Sequence, residues 1–347
     1  MLIRDVTRAD PAYRVEAQAA GAYELLVELS VLAAKAVSAP MRAALERVGD
    51  RSGEVWLHLL GLAVEAPGRR DAAALLTALE AADPLELRRL LLGAHVPAWR
   101  DLEPGWTEAI DAAAAGDPAA QARLLAHPRY YGGAAGQALE VLLPLDPPET
   151  RRRLLEVAAR WHQESFAARE PGLVETLAAD ARATTELAAT VPPARLIELV
   201  CGGFAYEPEP ECPRVLLVPQ LAARPWLLLC QHRDIRVICH PARERDGDGR
   251  AATAGKLLAL GRALGDEQRQ RLLAALGGGP RDLDELAAAV GLSRSTVHHH
   301  LGLLRAAGLV RLAGNARRYR YGLRREAVAE ATALLAGLLT ASGEEQS

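Results

Sequence analysis

The chain has 347 residues, 50% hydrophobic and 24% charged, enough for substantial cores and for two or three domains. No apolar run reaches the length of a membrane span, the opening MLIRDVTRADP lacks a signal-peptide profile, and four cysteines without a dense framework suit a reducing compartment. A cytoplasmic protein with no membrane partner is therefore expected. The net charge of −3 conceals an asymmetry: residues 251–325 carry 13 Lys and Arg against 5 Asp and Glu, whereas residues 1–250 carry 28 against 35, so an anionic partner is expected for the C-terminal part alone.

In chain order, Tyr13 to Gln18 alternates like a strand, and Ala22 to Val37 reads as one long apolar helix. Ala- and Leu-rich helical segments follow near 54–64, 71–80, 84–92, 107–115, 136–143 and 149–168, punctuated by Pro67, Pro97, Pro104, Pro118, Pro128 and Pro144. From 195 the character changes, and RVLLVP, PWLLLC and RVICHP are short apolar segments between turn residues, which predicts a small antiparallel sheet. Residues 1–245 are thus expected to form a mostly helical α+β domain with strands near 13–18 and 214–240, serving sensing or dimerisation.

Few residues in that domain carry distinctive chemistry. Aromatic clusters in VPAWRDLEPGW and ARWHQESF make Trp99, Arg100, Trp106 and Trp161 candidates for a small-molecule pocket, with rings as walls and Arg100 as an anion anchor. The competing reading is that these rings fill gaps between Ala-rich helices. Cys230, His232, Cys239 and His240 lie in LLLCQHRDIRVICHP, where a hairpin could bring soft ligands together. Their spacing fits no standard ligand set, and strand alternation sends 239 and 240 to opposite faces, so no metal is expected. HPRYYGGAAGQ lacks the glycine and lysine positions that cradle phosphates, and neither GxSxG nor HExxH occurs. Neither catalysis nor a cofactor is expected.

The segment ARERDGDGRAAT, residues 242–253, reads as a linker or exposed loop, and Ala254 to Leu264 begins a helix of a second domain spanning 251–340. LDELAAAVGLSRSTVHHHL, residues 283–301, then places Leu283, Leu286, Ala287 and Val290 on one helical stripe, with Asp282 and Glu285 at capping-box spacing and Gly291 suited to a left-handed stop. Ser293 is the expected N-cap of a second helix, about 293–306, with Leu292 and Val297 in staple positions. That helix turns Val297, His300, Leu301 and Leu304 inward, leaving Arg294, Ser295, Thr296, His298, His299 and Gly302 on its flanks or outside. A small, polar, basic outer face suits the major groove of double-stranded DNA. Three consecutive histidines on a helix diverge by about 100° each and cannot share one ion. After Gly308, LVRLAGNARRYRYGL reads as a hairpin over about 310–322 with Arg317 and Arg318 beside its tip, a basic wing able to reach phosphates. A final helix is expected from about Arg325 to Leu339, with Val328, Ala331, Leu334, Leu335 and Leu338 on one face.

Over residues 255–325, the stretches LGDEQRQRLLAAL, DLDELAAAVGLSRSTVHHHLGLLRAAGLV and NARRYRYGL resemble the ArsR-type winged helix-turn-helix regulators. The N-terminal domain is similar to poorly characterised domains that precede such modules in larger regulators. The resemblance implies a homodimeric, DNA-binding repressor or activator whose affinity for its operator responds to a ligand. It also implies contacts to bases and phosphates from Ser293, Arg294, Ser295, Thr296, His298 and His299, and from Arg317 and Arg318 in the wing. Metal-sensing members carry a Cys-x-Cys-type motif in the first helix of the motif or His and carboxylate ligands on the final helix. DLDELAAAV has no Cys or His, and the final helix offers Glu326 and Glu330 only. The effector, a small molecule, is therefore expected in residues 1–245. The alternative is a metabolite-binding protein or enzyme whose winged helix serves protein contacts or autoregulation.

Overall fold

The computed structural model describes residues 13–49, 51–65, 70–96, 99, 102–243, 249–315, 318–327, 329–333 and 336. The central element of the N-terminal region is α1 (Gly21–Ser30), nine of whose ten residues are buried. A helix apolar nearly all round belongs inside a core, and α1 packs against α3 (Gly53–His58) and α5 (Ala72–Ala81). The single helix expected over Ala22 to Val37 is shorter than predicted. It ends at Ser30, whose hydroxyl donates to Val27 O at 2.7 Å. A tight turn over Leu32–Ala34 follows, and Ser38 caps a new helix, α2 (Ala39–Glu46), by accepting from Met41 N at 3.2 Å.

The remaining helices of this region are α4 (Leu60–Glu65), α6 (Pro84–Leu91), α7 (Trp106–Ala115), α8 (Pro118–Ala126), α9 (Ala135–Leu139), α10 (Pro147–Trp161), α11 (Glu170–Ala188) and α12 (Pro193–Val200). Asp83, Asp117 and Asp146 each cap a helix that has proline in its first turn. Proline there has no hydrogen bond to lose and its φ is preset. Pro118, read in the sequence as punctuation, is thus a helix start. Helix α11 went unpredicted because its inward face includes Asp180 and Thr184, which blur the apolar period.

The antiparallel sheet expected near 214–240 is instead mixed. Strands β1 (Arg14–Ala17), β3 (Arg214–Gln220), β4 (Leu228–His232) and β5 (Ile235–Pro241) lie in the order β1-β3-β5-β4, with β1 and β5 parallel to β3 and only β4 antiparallel to β5. In β3 every residue after Arg214 is buried, and in β5 every residue before Pro241. Strands covered on both faces read as continuous apolar runs and suit parallel pairing. One face packs on the helices around α1, and the other packs on α11 within the core that also takes in the C-terminal elements.

Those elements are α13 (Gly249–Leu264), α14 (Glu267–Leu276), α15 (Leu283–Val290), α16 (Arg294–Ala306), β6 (Val310–Gly314) and β7 (Tyr319–Leu323). Strand β2 (Phe204–Tyr206), far upstream of the break at 242–253, pairs parallel with β6 and completes a three-stranded sheet. Phe204, Leu196 and Ile197 share one core with Leu272, Leu286, Val297 and Leu301. Of the expected final helix, Ala327, residues 329–333 and Ala336 are helical, while Val328, Leu334, Leu335 and Leu338 lie outside the described residues. No helix among the described residues is long and apolar enough to cross a membrane.

Candidate nucleic-acid interface

The two-helix motif is specified by short-range hydrogen bonds. Asp282 accepts from Glu285 N at 2.8 Å and Glu285 accepts from Asp282 N at 2.9 Å, closing a reciprocal capping box. Helix α15 ends at Gly291 with φ of 71°, a left-handed conformation that glycine adopts without a Cβ penalty. Ser293 then caps α16, its Oγ accepting from Thr296 N at 3.2 Å. Val297, Leu301 and Leu304 are fully buried. His300 sits at the margin, its Nδ1 3.9 Å from Asp266.

Ser293, Arg294, Ser295, Thr296, His298 and His299 are all exposed. Ser293 Oγ lies 3.0 Å from Ser295 Oγ and 2.8 Å from Thr296 Oγ1, so the first turn presents a joined row of hydroxyls. Arg294 makes an ion pair with Asp284 at 3.1 Å in which both partners face water. Such a pair contributes little and exchanges readily for another anion.

Beside this turn stands the hairpin β6–β7, in register from Val310↔Leu323 to Gly314↔Tyr319. Asn315 N donates to Arg318 O at 2.9 Å and Arg318 N to Asn315 Oδ1 at 3.2 Å, closing the tip. Arg318 is exposed there, and Arg317 lies outside the described residues. Arg320 is engaged with Glu285 at 3.0 Å, which ties the wing to α15. The helix expected over about 293–306 is α16, with Ser293 as its cap, and the hairpin expected over about 310–322 is β6–β7, which runs one residue further to Leu323.

One face of α16 is not open as the pattern predicts. Gly302, placed outward by helical periodicity, is buried, because Trp226 from the β3–β4 connection lies on it. A Cβ at Gly302 would be 2.1 Å from the Trp226 ring. The same ring stacks on His298, with centroids 4.7 Å apart and planes 15° from parallel, and stands 6.2 Å from His299. Partial desolvation beneath this ring, aided by the Arg305 and His299 charges, lowers the pKa of His298. Arg305, at the end of α16, donates to Pro225 O at 2.7 Å. Sequence reasoning missed Trp226 and Arg305. The available signal was Gly302 itself, since glycine inside a helix costs about 1 kcal/mol relative to alanine and marks a close approach.

The aromatic candidates of the N-terminal region do not converge on one pocket. Trp99 and Trp106 both touch Tyr130, at centroid distances of 5.1 and 5.5 Å, but Trp106 is 1% exposed within the core. Trp161 belongs elsewhere, its Nε1 donating to Glu28 Oε2 at 2.7 Å. Arg100 lies outside the described residues. Of the sulfur and imidazole set, Cys230 and Cys239 lie on adjacent antiparallel strands, where their hydrogen bond and burial hold the Cys239 thiol well above its usual range. His232 pairs with Glu65 at 2.8 Å. His240 is buried near Asp180 and Arg243, and burial lowers its pKa to about 4. Among the described residues, no three His, Cys, Asp or Glu side chains are placed to share an ion.

Two capped helices followed by a basic hairpin define a winged helix-turn-helix module. Residues 264–313 match the family described as a helix-turn-helix domain. Over 90 residues the chain is 41% identical to the HTH-type transcriptional regulator CmtR of Mycobacterium tuberculosis H37Rv and, equally, to CmtR of Mycobacterium bovis, covering 26% of this chain and 76% of theirs. A solved structure with 27% identity and a TM-score of 0.23 is the homodimeric winged helix-turn-helix DNA-binding domain Mb0332 from M. bovis, a possible ArsR-family regulator, with 30% of this chain and 96% of that one covered. Through its C-terminal module, the chain belongs to the ArsR family of DNA-binding transcriptional regulators.

Proposed function

We propose that the chain is a cytoplasmic, homodimeric regulator that reads double-stranded DNA with α16 in the major groove and the β6–β7 wing on the flanking backbone. In this reading, an effector held by the N-terminal region controls the affinity. The observation that carries it is the exposed start of α16, where Arg294, Ser295 and Thr296 stand clear of every core contact beside the wing. Small hydroxyls permit close approach to base edges, and Arg294 supplies a guanidinium for a guanine or a phosphate. His299, and His298 once clear of Trp226, extend the same face, while Arg317 and Arg318 serve the wing.

A second copy of the chain fits the open face between α13 and the final helix. There a cavity of about 680 Å³ is lined by Lys256, Leu260, Leu309, Ala327 and Ala331. Pairing of these faces would set two recognition helices at a half-site spacing of about one turn of DNA.

The test is DNA binding by the full chain to the sequence upstream of its own gene. Arg294→Ala and His299→Ala should each weaken specific binding by about 1 to 3 kcal/mol while random DNA changes much less. Equal loss on both DNAs would remove α16 from the groove.

A further inference from the structure

A cavity of about 320 Å³ lies where the N-terminal region meets the end of the recognition helix. Its walls are the end of α12 with Cys201 and Gly202, the β3–β4 connection at Arg224 and Pro225, the end of β5 at Pro241 with Ala242 and Arg243 beyond it, and Arg305 with Ala306 of α16. Three guanidinium groups therefore line one small space. The volume falls at the lower end of the range for small-molecule sites.

Arg305 is the decisive residue. It is 9% exposed, and its hydrogen bond to Pro225 O at 2.7 Å uses one of five N–H donors. No carboxylate pairs with it among the described residues, and burial draws its pKa below the usual value for arginine. A buried, unpaired guanidinium is costly and is relieved by an anion that accepts several of its donors. Arg243 on the same wall is already matched: Asp180 receives its Nε at 3.1 Å and its backbone N at 2.7 Å, and Thr184 Oγ1 receives Nη2 at 2.7 Å. Arg224 reaches the carbonyl of Ala242 and closes the opposite side.

We propose that this cavity binds a small oxyanion, a carboxylate- or phosphate-bearing metabolite, held chiefly by Arg305 of the recognition helix and Arg224 of the β3–β4 connection. The consequence for DNA follows from three consecutive residues. Arg224 and Pro225 line the cavity while Trp226 covers Gly302 and His298 of α16. An anion competing with Pro225 O for Arg305 shifts the position of Trp226 and thereby the accessible face of the helix. The site itself does not depend on how the helix reads DNA, whereas its regulatory effect rests on the function proposed above.

The experiment uses the full chain, without DNA, titrated with inorganic phosphate and separately with succinate. Ionic strength is held constant with sodium chloride, and binding is followed by calorimetry and tryptophan fluorescence. Saturable binding of at least one anion is expected, phosphate alone indicating a phosphorylated ligand and succinate alone a carboxylate. Arg305→Gln and Arg224→Gln should each weaken it at least about tenfold, as loss of a charged hydrogen bond does. Should Arg305→Gln fail to fold, Arg224→Gln at its half-buried position decides the matter. Trp226→Phe should retain the affinity and lose the fluorescence change. Absence of saturable binding of either anion at about 10 mM, a concentration that reveals even weak complexes, would overturn the site, as would unchanged affinity in the folded arginine variants. With the anion saturating, affinity for the upstream DNA should change at least about threefold, and coupling of about 1 kcal/mol or more is ordinary for allosteric pairs. Anion binding with unaltered DNA affinity would overturn the coupling. Failure to bind DNA under any condition would instead refute the function proposed above and leave the anion site standing.

Discussion

The buried pair Arg236–Glu209 should be the electrostatic anchor of the junction between the two regions. Arg236 on β5 and Glu209 in the β2–β3 connection have side chains 3% and 2% exposed. Nε donates to Oε1 at 3.0 Å, Nη2 to Oε2 at 2.5 Å and Nη1 to Cys230 O at 2.9 Å, while Tyr206 Oη donates to the same carboxylate at 3.3 Å. Through Tyr206 the pair holds β2, and β2 is the third strand of the wing sheet. Arg236→Met leaves a buried carboxylate with the Tyr206 hydroxyl alone, so a loss of about 3 to 5 kcal/mol is expected. Glu209→Leu leaves the guanidinium uncompensated and should be comparably damaging. The double variant removes both charges, so its loss should be well below the sum, with a coupling energy of about 1 to 3 kcal/mol. Urea unfolding followed by two probes measures all three, the second probe guarding against separate melting of the two cores. Single losses below about 1 kcal/mol, or strict additivity, would show that the pair anchors nothing.

Glu24, 1% exposed, accepts from Leu221 N and Ala222 N at the start of the connection that carries Trp226, and burial, countered by the Leu221 N–H and reinforced by Glu28, pushes its pKa up from 4.5 to about 7. The folded state therefore keeps a proton that the unfolded chain releases, so stability should fall as pH rises from about 4.5 to about 7; Glu24→Gln should remove up to about 3 kcal/mol of that fall, measured as unfolding free energy in urea at each pH, and an unchanged pH dependence would refute it. A truncated chain starting at Pro193 retains α12 and β2 and should be markedly more resistant to urea than one starting at Ala251, which leaves the β6 edge bare; equal resistance would show that β2 is dispensable. Replacing Arg318 by Ala should weaken binding to all DNA sequences and lower the salt slope by about one unit, and an unchanged slope would place the tip away from phosphates.

The helix-turn-helix was legible because its determinants are local. Asp282 and Glu285, Gly291, and Ser293 with Thr296 each close a bond within three or four residues, and the hairpin closes between Asn315 and Arg318. Periodicity placed Leu286, Val290, Val297 and Leu301 inside for the same reason, since a stripe repeats whatever it packs against. The tryptophans were visible too, but the shared pocket expected for them was not formed, because Trp99 and Trp106 meet at Tyr130 while Trp161 bonds Glu28 in another part of the helical core.

What only the tertiary structure decided involves partners far apart in the chain. Phe204 joining Leu312, β5 inserting between β3 and β4, Trp226 covering Gly302 and Arg305 lining a cavity with Arg224 have no local signature. A strand's neighbour is chosen by the burial available on its two faces and by what the rest of the chain leaves uncovered. The amino-acid order therefore determined the two helices of the motif and the hairpin after them through short hydrogen bonds and a repeating apolar stripe. Which surface covers that helix, and which cations meet behind it, depended on loop closure over tens to hundreds of residues, where the free energy lies in the packed whole.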